Sequence, residues 1–228
     1  MAQLFLREKL RHDRGFGVYL QRYSRSGLST SDYTANYLAD IAKISSAIDP
    51  AKIDRIVGLF RQVRENGGRV FLIGVGGGAA YASHAVNDFR KLADIEAYTP
   101  SDNVAELTAR INDDGWDTAY ANWLSGSRLN ARDAVFVFSV GGGDAERNIS
   151  PNIVLCLQLA KQVGARIAGI VGRDGGYTAQ VGDEVLIVPT LSPRMATPYT
   201  EALQAVLWHC IVTHPELILH QPKWESQK

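Results

Sequence analysis

The chain has 228 residues, and its 24 basic and 24 acidic side chains balance to a formal charge of zero. That length suits one α/β domain with a sizeable core and an N-terminal attachment. Neither sign of charge forms a block, so a nucleic-acid or membrane surface is not expected and a small molecule is the expected partner.

Residues 1–30 read as an arm, residues 31–222 as a single domain and residues 223–228 as a tail. The opening MAQLFLREKLRHDRG is charged where a signal peptide needs an apolar core. No apolar run approaches the ~20 residues of a bilayer span, so a cytoplasmic protein is expected. Ser29, Thr30 and Ser31 before Asp32 look like a helix start. Apolar residues then recur at helical spacing from Asp32 to Ala47 and from Pro50 to Asn66, with an Asp49-Pro50 turn between, which predicts a helical hairpin over 31–67. Its apolar faces exceed what two helices bury against each other, so they need the main domain or another subunit.

After Gly67-Gly68 short β runs alternate with helices. Strands are predicted at Arg69–Gly74, Glu96–Thr99, Ala134–Ser139, Arg166–Val171 and Glu184–Val188. Helices are predicted at Gly78–Leu92, Trp116–Leu124, Ser150–Val163 and Pro198–Val212. This alternation is the pattern of an α/β fold with a doubly wound, five-stranded parallel sheet. Cys156 and Cys210 lie among apolar residues in predicted helices and are expected to be reduced, buried thiols.

In such sheets ligands bind beyond the carboxyl ends of the strands. Three turns fall there: GVGGGA after the first strand, SVGGGD after the third and GRDGG after the fourth. The first turn puts the backbone of Gly76, Gly77 and Gly78 at a helix N-terminus, where an anion or sugar oxygen can be held. Gly74-x-Gly76-x-x-Ala79 also fits a relaxed dinucleotide fingerprint, with Glu96 about where a ribose-binding acid would be. A second cluster, Gly141-Gly142-Gly143, has no role in a simple dinucleotide site, and two glycine turns on one crevice suit a sugar phosphate better. Either cluster alone is equally well a tight strand-to-helix turn. On the helix after the first turn, His84 and Asp88 share a face at spacing i, i+4. A lone helix histidine is usually structural, but an acid one turn on, behind a ligand cradle, points to chemistry. The last helix, TPYTEALQAVLWHC, offers Glu201, Gln204 and His209, and by itself reads equally as a core helix.

Taken together, GVGGGAAYASHAVNDF, SDNVAEL followed by NDDGWD, FSVGGGD and GRDGG resemble the sugar isomerase (SIS) domain, and within it the bacterial phosphoheptose isomerases. The resemblance runs from the helical hairpin through the final helix. It implies a five-stranded parallel sheet flanked by helices and a homotetramer with active sites between subunits. It also implies isomerisation of sedoheptulose 7-phosphate to a seven-carbon aldose phosphate, often with Zn2+.

Carried over by position, the resemblance makes His84, Asp88, Glu201 and His209 a zinc set and Asp88 and His209 the catalytic pair. It places Gly76, Gly77, Gly78, Asp102, Ser139, Gly141, Gly142, Gly143, Asp144 and Arg173 around the substrate. Glu201 and His209, eight residues apart, are ~12 Å apart along one helix, at the limit for one ion. The chain departs from the family in the phosphate pocket. Val75 replaces an asparagine, Gly78 a serine, and the Ser/Thr-rich loop has become Ser139-Val140-Gly141-Gly142-Gly143-Asp144. Asp144 near a phosphate would repel it. Backbone N–H groups with Ser139, Arg173 or Arg90 are one remedy, and a turned or altered ligand is the other. Three other functions fit parts of the pattern: an isomerase of an octulose phosphate or an unphosphorylated ketose, a non-catalytic sugar-phosphate sensor, and a nicotinamide-dependent oxidoreductase.

Overall fold

Five apolar runs, each followed or preceded by a helix, pair side by side and all in one direction in the computed structural model, which describes residues 30–223. Apart from their inner end residues, the expected arm over 1–30 and the tail over 223–228 lie outside the described residues. The chain divides into two units, residues 1–40 and 41–228, and the sheet and the site belong wholly to the second.

Helices α1 (Thr30–Ser46) and α2 (Pro50–Glu65) form the expected N-terminal pair. Within the first unit the rings of Tyr33 and Tyr37 are 6.2 Å apart. In the second unit Asp49 caps α2, its carboxylate accepting the Ala51 N–H at 3.0 Å. Pro50 takes the first helical position, where a missing N–H costs nothing. The apolar face of α2 is buried through Ile56, Val57, Phe60 and Val63. Phe60 meets Phe89 and Phe136 edge-on at 5.0 and 4.9 Å, so this face finds its partner on the main sheet.

The strands are β1 (Val70–Gly74), β2 (Ala97–Tyr98), β3 (Ala134–Ser139), β4 (Arg166–Val171) and β5 (Glu184–Ile187), in the order β2-β1-β3-β4-β5. Leu72 stands opposite Phe136, and Phe136 opposite Ala168. Strand β1 starts one residue later than expected. The buried Asp133 carboxylate accepts both the backbone N–H and the guanidinium of Arg69, and that hydrogen-bonded pair holds the Arg69 proton more firmly than usual.

Alternation along the strands divides the core in two. Phe71, Ile73, Val135, Val137 and Ile167 face helices α5 (Trp116–Gly126) and α6 (Pro151–Val163) through Tyr120, Trp123, Ile153 and Leu157. The intervening Phe136 and Phe138 face the other side, toward α2, α3 (Gly77–Leu92) and α8 (Ala196–Val212). Both faces are therefore covered, as a parallel sheet requires.

Two helices were not expected: α4 (Val104–Asp114) and the short α7 (Gly176–Val181). Helix α4 has no fully buried residue, but Leu107 and Ile111 pack against the core at helical spacing, and Asn103 caps the helix by accepting the Glu106 N–H at 3.2 Å. A capping residue with Glu three positions on was one available signal. Cys156 is buried, and that burial pushes its thiol well above the ordinary range. Cys210 corrects the expectation for both thiols, because it is exposed. Leu207, Trp208, Ile211 and Val212 of α8 turn to the core, which leaves His209 and Cys210 on the outer face. Among the described residues no helix is long and apolar enough to cross a membrane.

Candidate functional site

Helices α3 and α8 lie side by side, with Tyr81 of one against Trp208 of the other at 5.4 Å, and their seam carries polar groups at two levels. At one level His84 and Asp88 from α3 meet His209 from α8, with candidate ligand atoms all within 4.8 Å of one another; Asp88 is buried and both imidazoles are exposed. Nε2 of His84 is 3.8 Å from Asp88 Oδ2, and Nε2 of His209 is 3.5 Å from the same oxygen. Asp88 is buried and otherwise held by neutral donors. The Trp208 indole N–H donates to Oδ2 at 3.1 Å and the Asn87 amide to Oδ1 at 3.0 Å.

Nδ1 of His209 lies 2.7 Å from the carbonyl oxygen of Ala205. A carbonyl only accepts, so Nδ1 carries the proton and Nε2 of the neutral ring turns its lone pair toward Asp88. A lone pair facing a carboxylate calls for a proton or a cation between them. An imidazole tied to a carbonyl through one nitrogen with the other free is the usual state of a metal-binding histidine. Two imidazole nitrogens and one carboxylate oxygen fit the donor set of a catalytic zinc site. Among the described residues this is the one cluster of its kind, and Glu201, expected as a fourth ligand, lies outside it.

Trp208 was not singled out by the sequence, yet its ring stacks on His209 at 4.6 Å, meets His84 edge-on at 5.3 Å and reaches Phe138 at 5.9 Å. A tryptophan beside a histidine on an apolar helix was the only signal. Trp208→Phe keeps the ring packing and removes the N–H that fixes Asp88 Oδ2. Affinity for zinc alone, measured by calorimetry, is expected to fall about tenfold with the fold unchanged. Unaltered affinity would reduce Trp208 to packing.

The other level is a pocket of about 180 Å³ at the carboxyl ends of β1 and β3, where the strand order reverses. Gly78, Ser139, Gly141, Ser150, Glu201 and Gln204 line it. Gly76 turns the chain into α3 with φ of +59°. A Cβ on Gly77 would lie 2.6 Å from the Glu201 carboxylate, and one on Gly78 would lie 2.4 Å from the Phe138 carbonyl oxygen. The serine hydroxyl that the family pattern would put at position 78 therefore has no room here. The Ser139 hydroxyl accepts the Gly142 N–H at 3.0 Å and keeps its proton free to donate.

Several expected site residues are elsewhere. Gly142 and Gly143 serve loop-to-loop contact rather than lining the pocket. The Gly142 carbonyl accepts from the Thr178 N–H and hydroxyl, and the Gly143 carbonyl accepts the Tyr177 N–H. Asp144 turns away: its carboxylate accepts the Glu146 and Arg147 N–H groups at 3.0 Å each, and it lines a separate pocket with Asp117 and Gln158. Neither Arg173 nor Arg90 lines the glycine pocket, and Arg90 lies over the Tyr98 ring at 5.5 Å. Asp102 accepts the Ser83 hydroxyl beside His84 and lines a further pocket at the β2 edge with Arg69 and Tyr98.

The parallel five-stranded sheet with its flanking helices superposes on solved phosphoheptose isomerases. The enzyme from Neisseria gonorrhoeae superposes with a TM-score of 0.69 at 21% identity, covering 81% of this chain and 98% of that one. The enzyme from Francisella tularensis gives 0.68 at 18%, covering 81% and 97%. No family model matches the chain. In sequence it is 30% identical over 175 residues to the phosphoheptose isomerase of Pelodictyon phaeoclathratiforme, covering 74% of this chain and 78% of that protein. It is 28% identical over 193 residues to the lincomycin biosynthesis protein LmbN of Streptomyces lincolnensis, covering 82% and 68%. The chain belongs to the phosphoheptose isomerase family of SIS-domain proteins.

Proposed function

We propose that the chain is an aldose–ketose isomerase, an intramolecular oxidoreductase acting on a sugar of the phosphoheptose class. The observation that carries this reading is the meeting of His84, Asp88 and His209 on the seam that leads from the switch-point pocket. Binding a sugar phosphate does not by itself require two imidazoles around one buried carboxylate, whereas proton transfer does call for such groups.

In the forward direction Asp88 takes a proton from C1 of the ketose while the imidazolium of His209 gives one to the C2 oxygen, which forms the enediol. Asp88 then returns its proton to C2 as the O1 proton passes to His209, leaving an aldose and restoring both side chains. His84, Asp88 and His209 would hold the Zn2+ that the family resemblance implies, which when bound supplies Lewis-acid polarisation of the carbonyl and hydroxyl pair. Nε2 of His209 holds a proton or an ion, not both, so turnover with chelator and with zinc tells which role the reaction needs. The working form in this reading is a cytoplasmic homotetramer with active sites between subunits, and a fully active monomer would count against it.

Family membership supports sedoheptulose 7-phosphate, converted to a D-glycero-heptose 7-phosphate, as the first substrate to assay. A second reading, a related ketose such as an octulose phosphate or an unphosphorylated sugar, is favoured by the pocket lining, which contains Glu201 and, among the described residues, no cation. The test is proton NMR of sedoheptulose 7-phosphate and of sedoheptulose in deuterated water with the protein. An aldose anomeric signal, or deuterium entering the ketose, is the expected result. Neither signal from either sugar, with zinc added, would end the isomerase reading for these ketoses.

A further inference from the structure

The switch-point pocket asks its occupant for donors. Glu201 reaches it from α8, and its carboxylate rests against the bare Cα of Gly77 in the first turn of α3. The partial positive charge of a helix N-terminus favours an anion at that place. Here the anion is the protein's own. Among the described residues no Lys, Arg or His pairs with Glu201, and none lines the pocket.

Gln204, one turn along α8 from Glu201, also lines the pocket and is fully buried. Its amide N–H donates to the Ile170 carbonyl at 2.9 Å, which fixes the amide orientation and leaves Oε1 buried with no donor. A buried acceptor without a donor costs about 1–3 kcal/mol, so such a group waits for a ligand or a water. Two acceptors, one of them charged, thus meet two hydroxyls that can turn either way, Ser139 and Ser150. Gly78 adds no hydroxyl, and the Phe138 carbonyl leaves no room for one.

We infer that this pocket takes an uncharged, hydroxyl-bearing end of the sugar and rejects a phosphate, with Glu201 as the residue that sets the preference. The inference rests on the isomerase reading and names the substrate class for it: a ketose whose terminus in this pocket is a polyol. A phosphate dianion there would face the Glu201 carboxylate across a few ångströms in a partly buried site, a repulsion large enough to cost about tenfold or more in binding.

The experiment uses inorganic phosphate and sedoheptulose as separate probes of the full chain and of Glu201→Gln. The substitution keeps shape and removes the charge, and circular dichroism checks the fold. Phosphorus NMR titration is expected to show phosphate binding at least about tenfold tighter to Glu201→Gln than to the unsubstituted protein. Saturation-transfer NMR is expected to show sedoheptulose bound in preference to sedoheptulose 7-phosphate by the unsubstituted protein, with the preference lost in Glu201→Gln. Phosphate affinity equal in the two proteins, or tighter binding of sedoheptulose 7-phosphate by the unsubstituted protein, overturns the inference. Both readouts are of binding, so they stand apart from turnover. Absence of deuterium exchange with either ketose would sink the isomerase reading while leaving the pocket preference measured.

Discussion

Asp88→Asn is expected to lower turnover by about 10²- to 10⁴-fold while leaving the fold intact. The carboxylate is the one group that both imidazoles face, at 3.8 and 3.5 Å, and it is held by the Trp208 indole and the Asn87 amide. An amide of the same shape keeps one acceptor oxygen for the indole but brings its own N–H groups against another donor, the Asn87 amide. It removes the negative charge that draws a proton from carbon or a cation from solution. The stability cost of the mismatched donor is about 1 kcal/mol, too small to unfold a domain. Rate, zinc affinity and circular dichroism together separate the outcomes. Wild-type turnover in a folded Asp88→Asn protein would remove Asp88 from the chemistry.

Gly142→Ala is expected to cost about 2–4 kcal/mol of stability. Its backbone is left-handed, with φ of +70°, and an added Cβ would lie 1.9 Å from the Gly175 carbonyl oxygen. That oxygen belongs to the backbone of a turn whose neighbours, Tyr177 and Thr178, are bonded to the carbonyls of Gly143 and Gly142, so it has little freedom to retreat. Gly141→Ala is the control, because nothing lies within 4 Å of a Cβ there and its φ is not positive. It should change stability by no more than ~0.5 kcal/mol. Urea midpoints of the two variants give the comparison, and equal values would show that the loop moves aside.

The same loop shows how far sequence reading reaches. Three consecutive glycines after a strand announce a turn, but not which of them serve a ligand. Gly141 lines the pocket, whereas Gly142 and Gly143 let the turn after β4 approach, a partner some thirty residues away in the chain. Asp144 looked like a charge aimed at the ligand because it follows those glycines. Its carboxylate is instead taken by the backbone of its own turn, as short acidic side chains often are. Helix α4 carried a readable signal, Val104, Leu107 and Ile111 at helical spacing behind the Asn103 cap, and the structure packs Leu107 and Ile111 against the core.

By itself the sequence determined the local and periodic features: the alternation of apolar strands with helices, the glycine turns, and the one-turn spacing that puts His84 and Asp88 on a common face. These follow from backbone geometry and the hydrophobic pattern, which a few neighbouring residues specify. Only the tertiary structure decided what crosses between elements. It brought His209 to Asp88 from a distant helix, and it made Trp208, 120 residues on, the donor that fixes the carboxylate. It also turned Glu201 against Gly77 while the Phe138 carbonyl closed the space beside Gly78. Such contacts depend on how two helices pack over one sheet, to within an ångström, and no spacing along the chain encodes that distance.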